Sequence, residues 1–345
     1  MAMMPAEWAK HEATWLVWPH YHKDWPGKFD CVQWAFVEMT RALARGEIVR
    51  IIVQSAAQRE RVKRMLSRAH ADLGRVEFFV IPANRSWVRD SGPIFVKNGR
   101  AAGNVSMIDF VFNAWGRYRN WQRDNGIPAA IAKALKLPRT EAMLCGKRFV
   151  LEGGSIDVNG CGTLLTTEEC LLDTGPQSRN PGATREDIES ALKDYLGLTN
   201  ILWLGHGITG DDTHGHVDDL ARFVNPSTIL LAMESDPKDA NYRPLHENRE
   251  RLKGMRLENG KKPEVIELPM PRALMFDGIR LPASYANFYI GNAVVLVPTF
   301  NDPNDHVALR TIAECFPDRA VQGIHAIDLV LGLGTIHCLT QQQPA

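Results

Sequence analysis

The sequence predicts an α/β protein folded as one compact domain over residues 1–345. Short apolar segments of strand length recur from end to end, and single stretches of helical periodicity separate them. No Pro-, Gly- or Ser-rich segment interrupts the series as a linker would. The chain has 345 residues, 45% of them hydrophobic, which is enough to bury a sizeable core.

Val32, Phe36, Met39 and Leu43 recur at helical spacing, and Ile48 to Val53 is a run suited to a buried strand. A basic helix is expected over Gln58 to Leu73, then a strand over Val76 to Ile81. Asn98-Gly99, flanked by Pro93 to Val96 and by the stretch after Arg100, signals a hairpin. Asn159-Gly160 signals another, between Ser155–Val158 and Thr163–Thr166. Thr184 with Asp187 has the spacing of a helix start, Ile188, Leu192 and Tyr195 continue it, and Gly197 is placed to close it. Further strands fall at Ile201–Leu204, Thr228–Met233, Val265–Leu268, Phe288–Ile290 and Val294–Val297, and a helix at His306 to Cys315. No literal sequence repeat is visible.

Forty basic side chains balance 40 acidic ones, so no global field favours nucleic acid or an anionic membrane. No apolar run approaches the roughly 20 residues that span a bilayer. Met1 to His11 lacks the basic-then-apolar pattern of a secretory signal, and the expected location is the cytoplasm. Six scattered cysteines without a CxxC pair argue against a disulfide framework or a structural zinc site, and most are expected to be small buried residues.

Four segments carry possible chemistry. Cys338 follows a glycine-rich approach, Gly332-Leu333-Gly334, and precedes a polar tail, which suits a thiol near an opening. Taken alone, a buried structural cysteine is the stronger reading. In Asp211 to Asp219, an extended backbone would put His216 and Asp218 on one face as an acid/base pair. The alternatives there are a polar surface loop, or zinc held by the His214–His216 pair as in a metal-dependent amidohydrolase. Trp87 and Asp90, closed by Gly92-Pro93, could offer an aromatic face and a carboxylate to one planar cation, or simply form a strand-end turn. Glu152 stands after an apolar strand and before two glycines, an odd place for a solubilising charge.

In this order the segments resemble the agmatine deiminase family, of the guanidino-modifying or pentein superfamily. The resemblance starts at Pro5–Trp15 and runs through Trp87–Val96, Phe112–Gly116, Leu151–Ser155 and Arg179-Asn180-Pro181. It continues in Gly215–Asp218, Asn287-Phe288-Tyr289 and Asp302–Asp305, and ends in Ile336–Gln342. It implies a pentein fold, five ββαβ units forming a pseudo-symmetric propeller around a central active site. It makes Cys338 the nucleophile, His216 the general acid/base and Glu152 its assisting carboxylate, with Asp90 and Asp218 gripping the guanidinium. Trp87 and Trp115 are candidates for lining the pocket, with a core role as the alternative. The implied reaction converts agmatine to N-carbamoylputrescine and ammonia through a covalent thiouronium, with no metal and no organic cofactor. The implied partner is a small cationic guanidino substrate, and the implied assembly a homodimer. Free or peptidyl arginine is the alternative substrate, and a silent guanidino-binding protein the alternative without turnover. Leu333, Thr335 and His214 stand where many family members have glycine, asparagine and an acidic residue. His337, on the opposite face of an extended segment, is left out of the chemistry.

Overall fold

The computed structural model describes residues 2–99 and 104–345. Met1 and the start of the stretch after Arg100 lie outside the described residues.

Among the described residues, five sheets share one plan: an antiparallel pair, then a third strand added in parallel after a helix. In the first, Ile94–Asn98 pairs with Val105–Asp109, and Arg139–Glu141 joins after the helix Ile127–Leu135. In the second, Asp157–Val158 and Thr163–Thr167 are joined by Asn200–Leu204 after Arg185–Leu196. The third uses Ala221–Asn225, Thr228–Met233 and Glu264–Pro269 around the helix Tyr242–Gly254. The fourth uses Tyr289–Ile290, Val294–Thr299 and Ala320–His325 around Asp305–Cys315. The fifth unites the chain's two ends, because Gln341–Pro344 pairs antiparallel with His11–Val17. Ile48–Val53 then joins in parallel after the helix Phe29–Leu43, and Val76–Val80 extends the sheet. A parallel neighbour requires a crossover, which is why a helix separates each second and third strand.

The apolar faces of helices and sheets meet in buried clusters, the largest of which takes in Trp18, Phe36, Tyr285 and Phe288. Two wholly buried arginines tie the units together through charge-assisted hydrogen bonds. Arg222 reaches Glu7 at 2.9 Å and the Phe288 carbonyl at 2.7 Å, while Arg89 donates to Gln342 at 2.6 Å. The mixed α/β class is as expected, with three local corrections. The basic helix ends at Arg68 instead of Leu73, because His70 turns to φ +55° and Asp72 caps a short 3-10 turn. The first hairpin is longer than Asn98-Gly99, since Lys97 pairs with Val105 and Asn98 N donates to Asn104 O. Cys31, Cys145 and Cys161 are exposed, and only Cys170 and Cys338 are buried.

The helix Arg185–Leu196 has the full capping box between Thr184 and Asp187, and Gly197 ends it at φ +68°. Thr184→Ala is expected to lower unfolding free energy by about 0.5–2 kcal/mol in a urea titration while leaving catalytic turnover unchanged.

Candidate active site

Each of the five sheets is entered through a segment that delivers a polar side chain to one place. Asp90 lies just before Ile94–Asn98, Glu152 before Asp157–Val158, and His216 and Asp218 before Ala221–Asn225. Asn287 lies just before Tyr289–Ile290, and Cys338 just before Gln341–Pro344. These segments are turns, which leave strand geometry and so can aim side chains along the sheet ends. Val88–Ser91 is a single helical turn, and Val217–Asp219 a 3-10 turn. The extended alternation expected for His216 and Asp218 is therefore absent. Their rings and carboxyls still meet, with His216 Nδ1 4.0 Å from Asp218 Oδ1.

The convergence point is Gly154. Its N–H donates to Asp90 Oδ1 at 3.0 Å. A Cβ on this residue would stand 2.5 Å from His216 Nδ1, 2.9 Å from Asp90 Oδ1 and 3.1 Å from Asp218 Oδ2. Only glycine leaves that space open. Asp90 Oδ2 accepts the indole N–H of Trp115 at 2.9 Å. Trp115 holds this position at φ +58°, a region that bulky residues rarely enter and that recurs at functional sites. Glu152 lies 3.8 Å from His216 Nε2 and receives Arg179 Nε at 3.1 Å, both side chains being fully buried. Cys338 Sγ is 3.7 Å from Asp218 Oδ2 and accepts the amide N–H of Asn287 at 3.1 Å.

A cavity of about 380 Å³ opens onto this group. Asp90, Cys338, Trp87 and Trp115 line it, and Tyr118, Arg85 and Asp212 stand among its outer residues. Both tryptophans are also buried in the largest core cluster, so the pocket and core readings hold together. Leu333 lines the cavity in the left-handed region, at φ +67°, where glycine would sit without strain. Thr335 Oγ1 donates to Asn287 Oδ1 at 2.7 Å and so orients the amide that meets the sulfur. His214 turns away to within 3.6 Å of Asp173, so the His214–His216 pair does not converge as a zinc site requires.

The electrostatics are those of crowded acids. Burial pushes Asp90 up to about 6, opposed by His216 and reinforced by Asp218 and Glu152. Burial acts on Glu152 too, but the Arg179 guanidinium holds its carboxyl below the usual range. Asp218 is also held down, its burial outweighed by His337, which lies 2.6 Å away. His216 is raised well above the ordinary imidazole value: burial opposes, and the Asp90 charge prevails. Burial, then Asp218, Asp219 and Asp90, push the Cys338 thiol far up. Both His216 ring nitrogens and Asp218 Oδ1 are buried without a hydrogen-bond partner. The protonated imidazole can only donate, toward Asp90, Glu152 and Asp218 at 3.8–4.0 Å, whereas the unpartnered carboxylate oxygen calls for a donor, which a cation with several N–H groups supplies.

All five proposed reacting residues thus meet in one place. Sequence reasoning missed three contributors: Arg179, which balances Glu152, Asn287, which touches the sulfur, and His337, which touches Asp218. Nothing local marks an arginine or asparagine in a polar loop as a partner across more than 20 residues. His337 was misplaced because Ile336–Leu339 forms a turn and not an extended segment.

A family described as Porphyromonas-type peptidyl-arginine deiminase matches residues 3–344. An agmatine deiminase of Ectopseudomonas mendocina is 38% identical over 367 residues, spanning 99% of this chain and 95% of that relative. A solved agmatine deiminase of Enterococcus faecalis superposes with a TM-score of 0.90 at 34% identity, covering 99% of this chain and 96% of the other. A solved C. jejuni agmatine deiminase gives a TM-score of 0.84 at 32% identity, covering 100% of this chain and 96% of the other.

Asn287→Asp keeps the Oδ1 acceptor but replaces the N–H on sulfur with a charge beside Asp219. The pH at which iodoacetamide labels Cys338, followed by peptide mass spectrometry, is expected to move upward by about one unit or more. An unchanged profile would show that the amide does not support the thiolate.

Proposed function

The chain belongs to the Porphyromonas-type peptidyl-arginine deiminase family, an agmatine deiminase matches it at nearly full length, and on that premise we propose that it hydrolyses agmatine. The reading rests above all on one observation: Asp90, Asp218 and His216 crowd the open face of Gly154, and the Cys338 thiol lies 3.7 Å from Asp218 Oδ2. Five sheets of one plan, each entered through a segment carrying a site residue, support a five-bladed ββαβ propeller around that space.

A guanidinium is a poor electrophile, its charge being spread over three nitrogens. Asp90 and Asp218 accept hydrogen bonds from its edges and hold its carbon within reach of sulfur, which makes the attack intramolecular. In the free enzyme the thiol keeps its proton, because burial and the carboxylates disfavour the anion. Entry of the cation reverses that field, and the thiol proton leaves to solvent through the open cavity. The thiolate attacks the guanidinium carbon, and protonated His216 gives its proton to the departing nitrogen, which leaves as ammonia. A thiouronium remains on Cys338. His216, now neutral, takes a proton from water. The resulting hydroxide adds to the same carbon, the C–S bond breaks, the proton of the added hydroxyl passes to the sulfur, and N-carbamoylputrescine leaves with the thiol restored. Glu152, 3.8 Å from His216 Nε2, supports the imidazolium whenever it forms. Proton transfer of this kind contributes about 10²–10⁴ in rate.

Free arginine would place an α-carboxylate at the outer cavity. Two cations, Lys23 and Arg85, stand there. Arg85 is already engaged, 3.1 Å from Asp24 and stacked 4.2 Å over Tyr118. Asp212, which accepts the Tyr118 hydroxyl at 2.5 Å, adds negative charge beside it. With Arg85 committed to Asp24, the cavity lining offers an α-carboxylate no unpaired guanidinium, which supports agmatine.

Ammonia release assayed in parallel on agmatine, arginine and a blocked arginine peptide is expected to favour agmatine, and Cys338→Ala to abolish it in a folded protein. Turnover by Cys338→Ala would refute the mechanism. The pH dependence follows from Asp90, whose folded value of about 6 lies above the usual carboxylate range. Below that pH Asp90 is protonated and cannot receive the cation, so kcat/KM is expected to fall as pH drops through about 6.

A further inference from the structure

His337 is buried, stands next to the nucleophile and has no part in the steps above. Its Nδ1 lies 2.6 Å from Asp218 Oδ2 and its Nε2 2.8 Å from Glu7 Oε2. Ionised carboxylates only accept, so filling both bonds requires an N–H on each ring nitrogen. Glu7 arrives from the N-terminal segment and is fixed in turn: its Oε1 forms an ion pair with Arg222 at 2.9 Å and accepts the Ile290 N–H at 2.8 Å. At the other end of the relay, His337 occupies Asp218 Oδ2, while Oδ1 is left without a partner, 4.0 Å from His216. The ring therefore determines which Asp218 oxygen remains free for substrate.

We propose that His337 is a positioning residue, an imidazolium clamped by Glu7 that holds the Asp218 carboxylate with one oxygen turned into the site. It acts through Asp218 and does not touch the reacting carbon. The inference deepens the agmatine reading and rests on Asp218 as a guanidinium acceptor. The two acceptors provide a comparison within the same site. Asp90 receives only the uncharged Trp115 and Gly154 N–H groups as hydrogen-bond donors and rises to about 6, whereas Asp218, with His337 at hydrogen-bond distance, is held low. Charged groups facing the His337 ring are Glu7 and Asp218, and Arg222 and Arg89 meet Glu7 from behind.

The test uses full-length protein and three substitutions: His337→Ala, His337→Asn and Glu7→Gln. An asparagine amide can replace the donor to Asp218 but carries no charge. Agmatine affinity is measured by calorimetry with each change in a Cys338→Ala background, and the pH profile of kcat/KM with Cys338 intact. Loss of the charge-assisted bond is expected to weaken agmatine by about 10- to 100-fold in His337→Ala, with partial recovery in His337→Asn at alkaline pH. The acid limb is expected to steepen from one proton to two, since Asp218 then titrates alongside Asp90. If His337→Ala does not fold, His337→Asn and Glu7→Gln carry the same test, because each must move the acid limb upward. A fall in kcat/KM by one factor at every pH would mean a merely structural role and overturn the inference, as would unchanged profiles. Failure of the parent protein to bind agmatine would instead overturn the functional reading, and this inference with it.

Discussion

The site depends on burying several acids together, one of which, Asp90, has no cation at hydrogen-bond distance. Glu152 has Arg179 and Asp218 has His337, whereas Asp90 faces only His216 at 3.8 Å, with neutral N–H groups on its oxygens. Burial of an unpaired carboxylate is unfavourable, and the group responds by keeping a proton to about pH 6. The linkage has a definite sign. Between the unfolded value of about 3.9 and the folded value the native state binds the extra proton, so this group's contribution to stability falls as pH rises through that window. A bound guanidinium removes the penalty, because it supplies the missing positive charge. The same deficit that recruits substrate also keeps the thiol protonated without it. In the proposed mechanism, selectivity for a cation and restraint of the thiol therefore have one cause.

The fold supplies this deficit through repetition. Five sheets of the same plan present five entering segments, and each contributes at least one polar side chain of its own. No unit holds a complete site. The buried arginines and Glu7, which cross between units, fix the relative placement of those segments. The pairing of Gln341–Pro344 with His11–Val17 does the same for the sulfur, since Cys338 stands only a few residues before that strand.

Much of this was legible in the sequence, for reasons that differ by element. The capping box at Thr184 and the closing Gly197 are local chemistry, and they occur as written. The strands Ile48–Val53 and Thr228–Met233 were visible as largely apolar runs, the first broken only by Arg50, and both are mostly buried. Cys338, His216, Asp90, Asp218 and Glu152 were read as a set only through the family resemblance, since each segment alone also allowed a structural reading. What stayed hidden was pairing across distance. Nothing near Arg179 announces Glu152, and nothing near His337 announces Glu7, 330 positions away. The five-unit plan was also obscured, because alternating apolar patterns repeat without repeating residues.

The central claim is that the guanidinium carbon is transferred to Cys338 only after the cation has entered among the carboxylates. Rapid acid quenching during agmatine turnover, followed by peptide mass spectrometry, tests it most directly. The account predicts a transient mass increase on the peptide containing Cys338, matching an alkyl thiouronium and absent with Asp218→Asn. Ammonia formation at full rate with Cys338 unmodified throughout would contradict it.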